Sequence, residues 1–253
     1  QIAKRYCDRN PIFQLVNNPK KTAAAAMNII INEGSGEFIL RLDAGNTYDK
    51  RYLILCHETS KNRNAANVGG IIETVAGSNN YGARLVQAMI SHPFGVGNSV
   101  FRTGSSSELK VDTVPFGFFK RSIFDEVGKY DENLIRAQDY ELNQRIISAG
   151  HEIWLNPLIK AKYFTTTFWK FIYKNFTLEG PYNAYMWFKT PKSFSIRHSI
   201  TLFFCLGILG GITLSNFSNQ IFNIFVSVML IYAFLAFYFS YKLAMKYKEF
   251  MHL

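Results

Sequence analysis

Apolar and polar positions alternate in short blocks over residues 1–198, and the period of the blocks changes in a regular order. Residues 12–16 are an apolar run stopped by Asn17-Asn18-Pro19, which predicts a strand and a turn. Thr22 then opens a stretch of strong helix formers that ends at Glu33-Gly34-Ser35-Gly36, which predicts a helix. Residues 37–42, EFILRL, return to strand character. Residues 48–60 place Tyr52, Leu55, Cys56 and Thr59 on one helical face, and 67–75 read as a strand around Gly69-Gly70. Further along, 80–91 predicts a helix, 111–119 an extended stretch, 138–149 a helix closed by Gly150, and 151–155 a last strand. Such alternation predicts an α/β fold with a mostly parallel sheet, open at its edges and covered by helices.

The pattern changes at residue 199, because 199–241 contain no Lys, Arg, Asp or Glu. An apolar run at 200–214 and a second at 221–241 flank the polar hexapeptide SNFSNQ. A perpendicular bilayer helix needs about 20 residues, so the second run spans and the first must borrow its flanks. These runs predict a transmembrane hairpin over 199–243, followed by a tail at 244–253. Before it, residues 167–198 mix aromatic side chains with Lys170, Lys174 and Lys189. That mixture suits either the headgroup layer of a membrane or a buried amphipathic helix.

Charge favours the membrane. The formal net charge is +10, and basic residues crowd beside the apolar runs, at Lys189, Lys192 and Arg197 before them and at Lys242, Lys246 and Lys248 after. Positive flanks stay in the cytosol, which predicts a cytosolic globular part. No recognition-helix or zinc-finger spacing points to nucleic acid. The three cysteines, Cys7, Cys56 and Cys205, have no CxxC spacing, and the five histidines have no ligand spacing. A reducing compartment fits them. The opening QIAKRYCDRNP reads as the tail of a helix, so a preceding segment is expected.

Two carboxylates stand out. Asp43 closes EFILRL ahead of Ala44-Gly45-Asn46, at the strand edge where open α/β sheets bind ligands. It is suited to hold Mg²⁺ or Mn²⁺ against a diphosphate, or to cap the next turn. Asp139, in RAQDYELNQRI, starts a helix whose Leu142, Ile146 and Ala149 face inward. A carboxylate there serves as a general base or as a partner of the helix dipole. Between them, Gly117 permits close approach of a ligand, while Phe116, Phe118 and Phe119 either stack on a sugar or fill the core.

Taken in order, LDAGN, VGG and VDTVPFGFFKRSIFDEVGKYDENLIRAQDYELNQRIISAGHEIWLNP resemble the family-2 glycosyltransferases of the GT-A fold, over roughly residues 10–198. The hairpin resembles membrane-bound members that build bacterial exopolysaccharide or cell-surface glycans. The resemblance implies inverting transfer from a nucleotide-diphosphate sugar to a lipid-linked or growing glycan acceptor, on the cytosolic face of the cell (inner) membrane. It implies that Asp43 holds the donor diphosphate and its divalent cation, and that Asp139 is the base of an (E/Q)D pair formed with Gln138. Asn28 then falls on the donor side, and Phe116, Gly117 and Gln138 on the acceptor side.

Two departures qualify this picture. Gly45 stands where many relatives carry a second Asp or a His, and the QxxRW motif of processive synthases is replaced by Gln144-Arg145-Ile146 within a helix. Single-sugar transfer is implied. The family's opening strand, nucleotide-contacting segment and Asp-rich turn have no counterpart in the sequence, so residues 1–166 are expected to be a partial GT-A domain with little activity alone. The competing expectation is a non-catalytic membrane protein derived from such an enzyme.

Overall fold

The computed structural model describes residues 2–189 and 196–247. Residues 190–195 of the expected interfacial segment, and 248–253 of the expected tail, lie outside the described residues. The chain forms two compact units, one of Gln1–Glu73, Gly104–Tyr163 and Lys174–Ser193, the other of Thr74–Thr103, Phe164–Tyr173 and Phe194–Leu253. In chain order the elements are α1 (Ile2–Arg9), α2 (Ala23–Glu33), β1 (Phe38–Leu40), β2 (Asn46–Tyr48), α3 (Tyr52–Arg63), β3 (Asn67–Val75), α4 (Tyr81–Ile90), α5 (Pro93–Val96) and α6 (Val100–Thr103). They continue with β4 (Leu109–Lys110), β5 (Phe118–Lys120), α7 (Ser122–Val127), α8 (Gln138–Ser148), β6 (Ile153–Phe164), α9 (Phe168–Lys174), a π-helical turn (Asn175–Glu179), α10 (Gly180–Lys189), α11 (Ile196–Leu214) and α12 (Asn219–Tyr247).

The α/β class is as expected, and the sheet is mixed where the pattern suggested mostly parallel. Its order is β1-β5-β3-β6-β2, with β4 also paired to β6. The β1–β5, β3–β5, β2–β6 and β4–β6 pairs are antiparallel. Only between β3 and β6 do the bonds advance together, from Ala66 N–H to the Glu152 carbonyl at one end and from Thr165 N–H to the Val75 carbonyl at the other, so this pair is parallel. The periodicity located β1 and β3 but could not show that β5 inserts between them in reverse.

Two other differences have local causes. Residues 12–16 stay out of the sheet, with Ile12, Phe13, Leu15 and Val16 exposed, because an apolar run becomes a strand only where a neighbour completes its ladder. Conversely, β6 runs on through Pro157 to Phe164. Proline removes a ladder donor. Here it falls between the residues that pair with β4, Trp154 and Leu155, and those that pair with β2, 161–163, so no bond is lost on that side.

The core of the first unit is built from β3, α8 and β6, where Val68, Leu142, Ile146, Ile153, Leu155 and Ile159 are fully buried. Leu142 and Ile146 are one helical turn apart, which turns the opposite face of α8 outward. Helix α2 starts at Thr22, whose hydroxyl accepts the Ala25 N–H at 3.3 Å, and its end is held by Arg121, which donates to the Ile31 carbonyl at 2.6 Å and, in the segment after the helix, to the Gly36 carbonyl at 2.5 Å. Arg145 ties α8 to the turn after α7. It grips Glu141 through both carboxylate oxygens, at 2.7 and 2.8 Å, and donates to the carbonyls of Val127, Gly128 and Lys129.

In the second unit, Asn80 caps α4 by accepting the Ala83 N–H at 2.8 Å. Among the described residues, Asn219–Lys246 within α12 is the one helix long and apolar enough to cross a membrane, and the apolar part of α11, Ser199–Leu214, is shorter. Ile224, Leu230, Ile231, Phe234 and Phe237 of α12 all point outward. Such a surface is stable in water only when covered, and lipid covers it without further protein.

Candidate active site

The site begins where β1 ends. Arg41 continues the β1–β5 ladder, its N–H donating to the Gly117 carbonyl at 3.1 Å. A strand alternates its side chains, so Ile39, Arg41 and Asp43 share a face. Ile39 is buried, and the Arg41 side chain is carried inward to 11% exposure. There its Nε and Nη2 meet the two carboxylate oxygens of Asp43 at 2.7 and 2.9 Å, while Nη1 meets Asp139 Oδ1 at 2.5 Å. One guanidinium thus joins both carboxylates singled out in the sequence. Burial alone would lower its pKa, but the charges of Asp139 and then Asp43 outweigh it and hold Arg41 above the ordinary arginine value.

The backbone of Asp43 is fixed by Tyr48. The phenol accepts the Asp43 N–H at 2.8 Å and donates to its carbonyl at 3.1 Å, and Asn46 adds a donor to that carbonyl at 3.3 Å. The chain can double back this tightly because Gly45 lies at φ +83°, where side-chain-bearing residues are disfavoured. Edge-on contacts at 5.2 Å join the Tyr48 ring to Tyr52 and to Phe116. The Tyr52 hydroxyl then donates to the Phe116 carbonyl at 3.2 Å, holding Phe116 at φ +50° in the sparsely populated left-handed region.

Phe116 and Gly117, expected on the acceptor side, are both closely packed. Phe116, Phe118 and Phe119 are all buried and serve the core. A Cβ on Gly117 would lie 2.5 Å from the Phe119 ring and 2.6 Å from Asn67 Oδ1, so packing, rather than approach of a ligand, requires glycine there. Both residues shape the floor of the site without presenting a side chain to it.

Asp139 sits in the first turn of α8, at the positive end of the helix dipole. The residue that starts the helix, Ala137, has φ +62° and no capping side chain. Gln138 and Tyr140 on either side of Asp139 are buried, which takes the Gln138 side chain away from solvent, while Asp139 remains 39% exposed at the rim. Its neighbours push its pKa above the ordinary aspartate value: desolvation is the largest effect, Arg41 opposes it, and Asp43 adds to it. Beneath this turn Met186 and Tyr182 of α10 pack against Leu134, Ala137 and Tyr140. The phenol of Tyr130 is buried against Arg41 and Asp139 without completing a well-formed hydrogen bond to either, and burial holds its pKa well above the usual value.

Asn28, expected on the donor side, has its side-chain amide engaged within the fold. Its amide nitrogen donates to the Tyr130 carbonyl at 2.9 Å and to Glu132 at 2.8 Å, and its oxygen accepts the Tyr130 N–H at 2.9 Å. With the amide occupied in this way, Asn28 fastens the loop that carries Tyr130 and has no N–H left for a nucleotide.

The divalent cation implied by the resemblance does not fit the residues as they stand. A hard cation needs several oxygen ligands. Both oxygens of Asp43 are taken by Arg41, and Gly45 supplies no side chain where a further ligand would stand. No group of three or more His, Cys, Asp or Glu suited to a metal occurs among the described residues.

The family model described as Glycosyl transferase family 2 matches residues 1–128 of the 253. The chain belongs to glycosyl transferase family 2. The family match contains Arg41, Asp43 and Gly117 and ends before Asp139. The chain is also similar to the succinoglycan biosynthesis protein ExoA of Rhizobium meliloti (strain 1021), with 29% identity over 166 residues, 65% of this chain and 49% of that protein. It therefore spans about half the length of this curated relative.

Arg41, Tyr48 and Tyr130 were not singled out from the sequence. For Arg41 a signal existed: a charged residue at an inward position of an otherwise apolar strand must be paired. Tyr48 and Tyr130 left none, since their partners are defined by the fold.

Proposed function

We propose that this protein transfers a single sugar, with inversion, from a nucleotide-diphosphate sugar to a lipid-linked or growing polysaccharide acceptor. The observation that carries this reading is the coupling of Asp43 to Asp139 through one guanidinium, at distances of 2.5–2.9 Å, in a chain of glycosyl transferase family 2. Exopolysaccharide assembly is the process named for the relative ExoA, and it suits a transferase with a membrane segment.

In this reading Asp139 takes the proton of the acceptor hydroxyl as that oxygen attacks the anomeric carbon from the face opposite the diphosphate. Asp43, held by Tyr48 at the strand end, keeps Arg41 and thereby Asp139 in register with the donor. Gln138 and the floor formed by Phe116 and Gly117 set the shape of the acceptor side. Helix α12 anchors the protein with α11 as the other arm of a hairpin, and the basic residues Lys189, Lys242 and Lys246 on its two outer flanks support a site on the cytosolic side of the cell membrane. Trp169, Tyr173, Phe176 and Phe188, all strongly exposed, suit the headgroup layer, where a lipid-borne acceptor presents its sugar.

The test is incorporation of labelled sugar into a lipid or polysaccharide fraction, using purified protein, a panel of nucleotide sugars and membrane lipids. An α-linked donor should give a β-linked product. Retention of configuration, or no transfer with any donor, would refute the reading.

A further inference from the structure

The guanidinium of Arg41 carries more N–H groups than the three bonds to Asp43 and Asp139 use, leaving one on each terminal nitrogen outside these bonds. Its two attachments also differ. Asp43 holds the Nε/Nη2 edge through two parallel bonds, the geometry that fixes an arginine in place, whereas Asp139 holds only Nη1. The pair with Asp43 is a pivot, and the contact with Asp139 is the one that can be exchanged.

We propose that Arg41, and not a divalent cation, supplies the positive charge for the departing diphosphate, and that Asp139 releases this charge when it takes the acceptor's proton. The inference rests on the transfer reaction proposed above. At the start, Arg41 and the two carboxylates together carry one negative charge in excess. As the acceptor oxygen bonds to the anomeric carbon, its proton passes to a carboxylate oxygen of Asp139 and makes it neutral. In the same step the bond from the anomeric carbon to the diphosphate oxygen breaks, and its electron pair stays on the diphosphate. The negative charge lost at Asp139 equals the charge gained by the leaving group. With the carboxyl neutral, the guanidinium stays where Asp43 holds it and its positive charge, no longer matched by Asp139, is left to the new anion. Arginine suits this role, since its planar fork matches phosphate oxygens and its charge persists at every working pH.

The experiment is nucleotide binding by the purified full-length protein in lipid nanodiscs, titrated calorimetrically with UDP, GDP and dTDP in EDTA and again in MnCl₂. We expect whichever nucleotide binds to keep its affinity in EDTA to within about threefold. Arg41→Gln should weaken it about tenfold or more, as loss of a charge-assisted contact requires, with Arg41→Lys in between because it keeps the charge and loses the fork. Wild-type binding that vanishes in EDTA and returns with Mn²⁺ would overturn the proposal and leave the transfer reading standing. No nucleotide binding in either buffer would overturn both. If Arg41→Gln does not fold, the wild-type comparison and Arg41→Lys decide by the same criteria.

Discussion

Arg41 and Asp139 are 98 residues apart in the chain and meet at 2.5 Å. This contact brings the end of β1 and the start of α8 together, and everything proposed for the site depends on it. The two partners are unequally covered, with 11% of the Arg41 side chain and 39% of the Asp139 side chain exposed. The arginine is therefore committed to the fold, while the carboxylate remains open to a substrate.

The elevated pKa of Asp139 predicts opposite pH effects on stability and on rate. Because its folded-state value lies above the unfolded one, its contribution to stability is complete below the unfolded pKa and is lost as pH rises through the folded pKa. Catalysis by a base needs the ionised form, so kcat/KM should fall with acidification at a pH above the ordinary aspartate range. Rate and thermal-melt profiles of wild type and Asp139→Asn check both signs, and a melting temperature whose pH dependence is unchanged by Asp139→Asn would contradict the first.

Gly117→Ala should destabilise the protein by about 1–3 kcal/mol, because the new methyl group overpacks against Phe119 and Asn67. The sign is informative. At an unconstrained position the same change stabilises by about 0.4–1 kcal/mol through the unfolded chain, so a raised melting temperature would show that Gly117 faces open space after all.

Arg145→Ala should cost about 3 kcal/mol, since it leaves Glu141 buried without its partner and removes the donor from three carbonyls after α7. Thermal denaturation in detergent measures this. A change within experimental error would mean that α8 is held by its apolar face alone.

Met186→Ala removes a side chain that is 1% exposed beneath Ala137 and Tyr140. We expect a loss of about 2–5 kcal/mol and a lower kcat, because α10 supports the turn that presents Asp139. An unchanged kcat in a destabilised variant would separate α10 from the site.

The two carboxylates were legible in the sequence because each ends or begins an element whose pattern is strong: the apolar strand before Asp43, and the helical face of Leu142 and Ile146 after Asp139. Their connection was not, since it runs through Arg41, and a side chain's partner on a distant element leaves no periodic trace. Asn28 shows the same limit from the other side. Its amide appears available in sequence, yet it is occupied by Tyr130 and Glu132, 102 and 104 residues away. The directions of the strands are not legible for a related reason. Alternation marks a strand and its faces but not its direction, so the reversal of β5 between β1 and β3, and the passage of β6 through Pro157, emerge only from pairing.

The most direct measurement is the single-turnover rate of nucleoside diphosphate release by wild type and Asp139→Asn, at saturating nucleotide sugar and acceptor. The account predicts a rate lower by about 100-fold or more in Asp139→Asn, with nucleotide affinity retained or raised, because the substitution removes the base, keeps the shape and leaves the Arg41 charge to the diphosphate. Equal rates in the two proteins would contradict it.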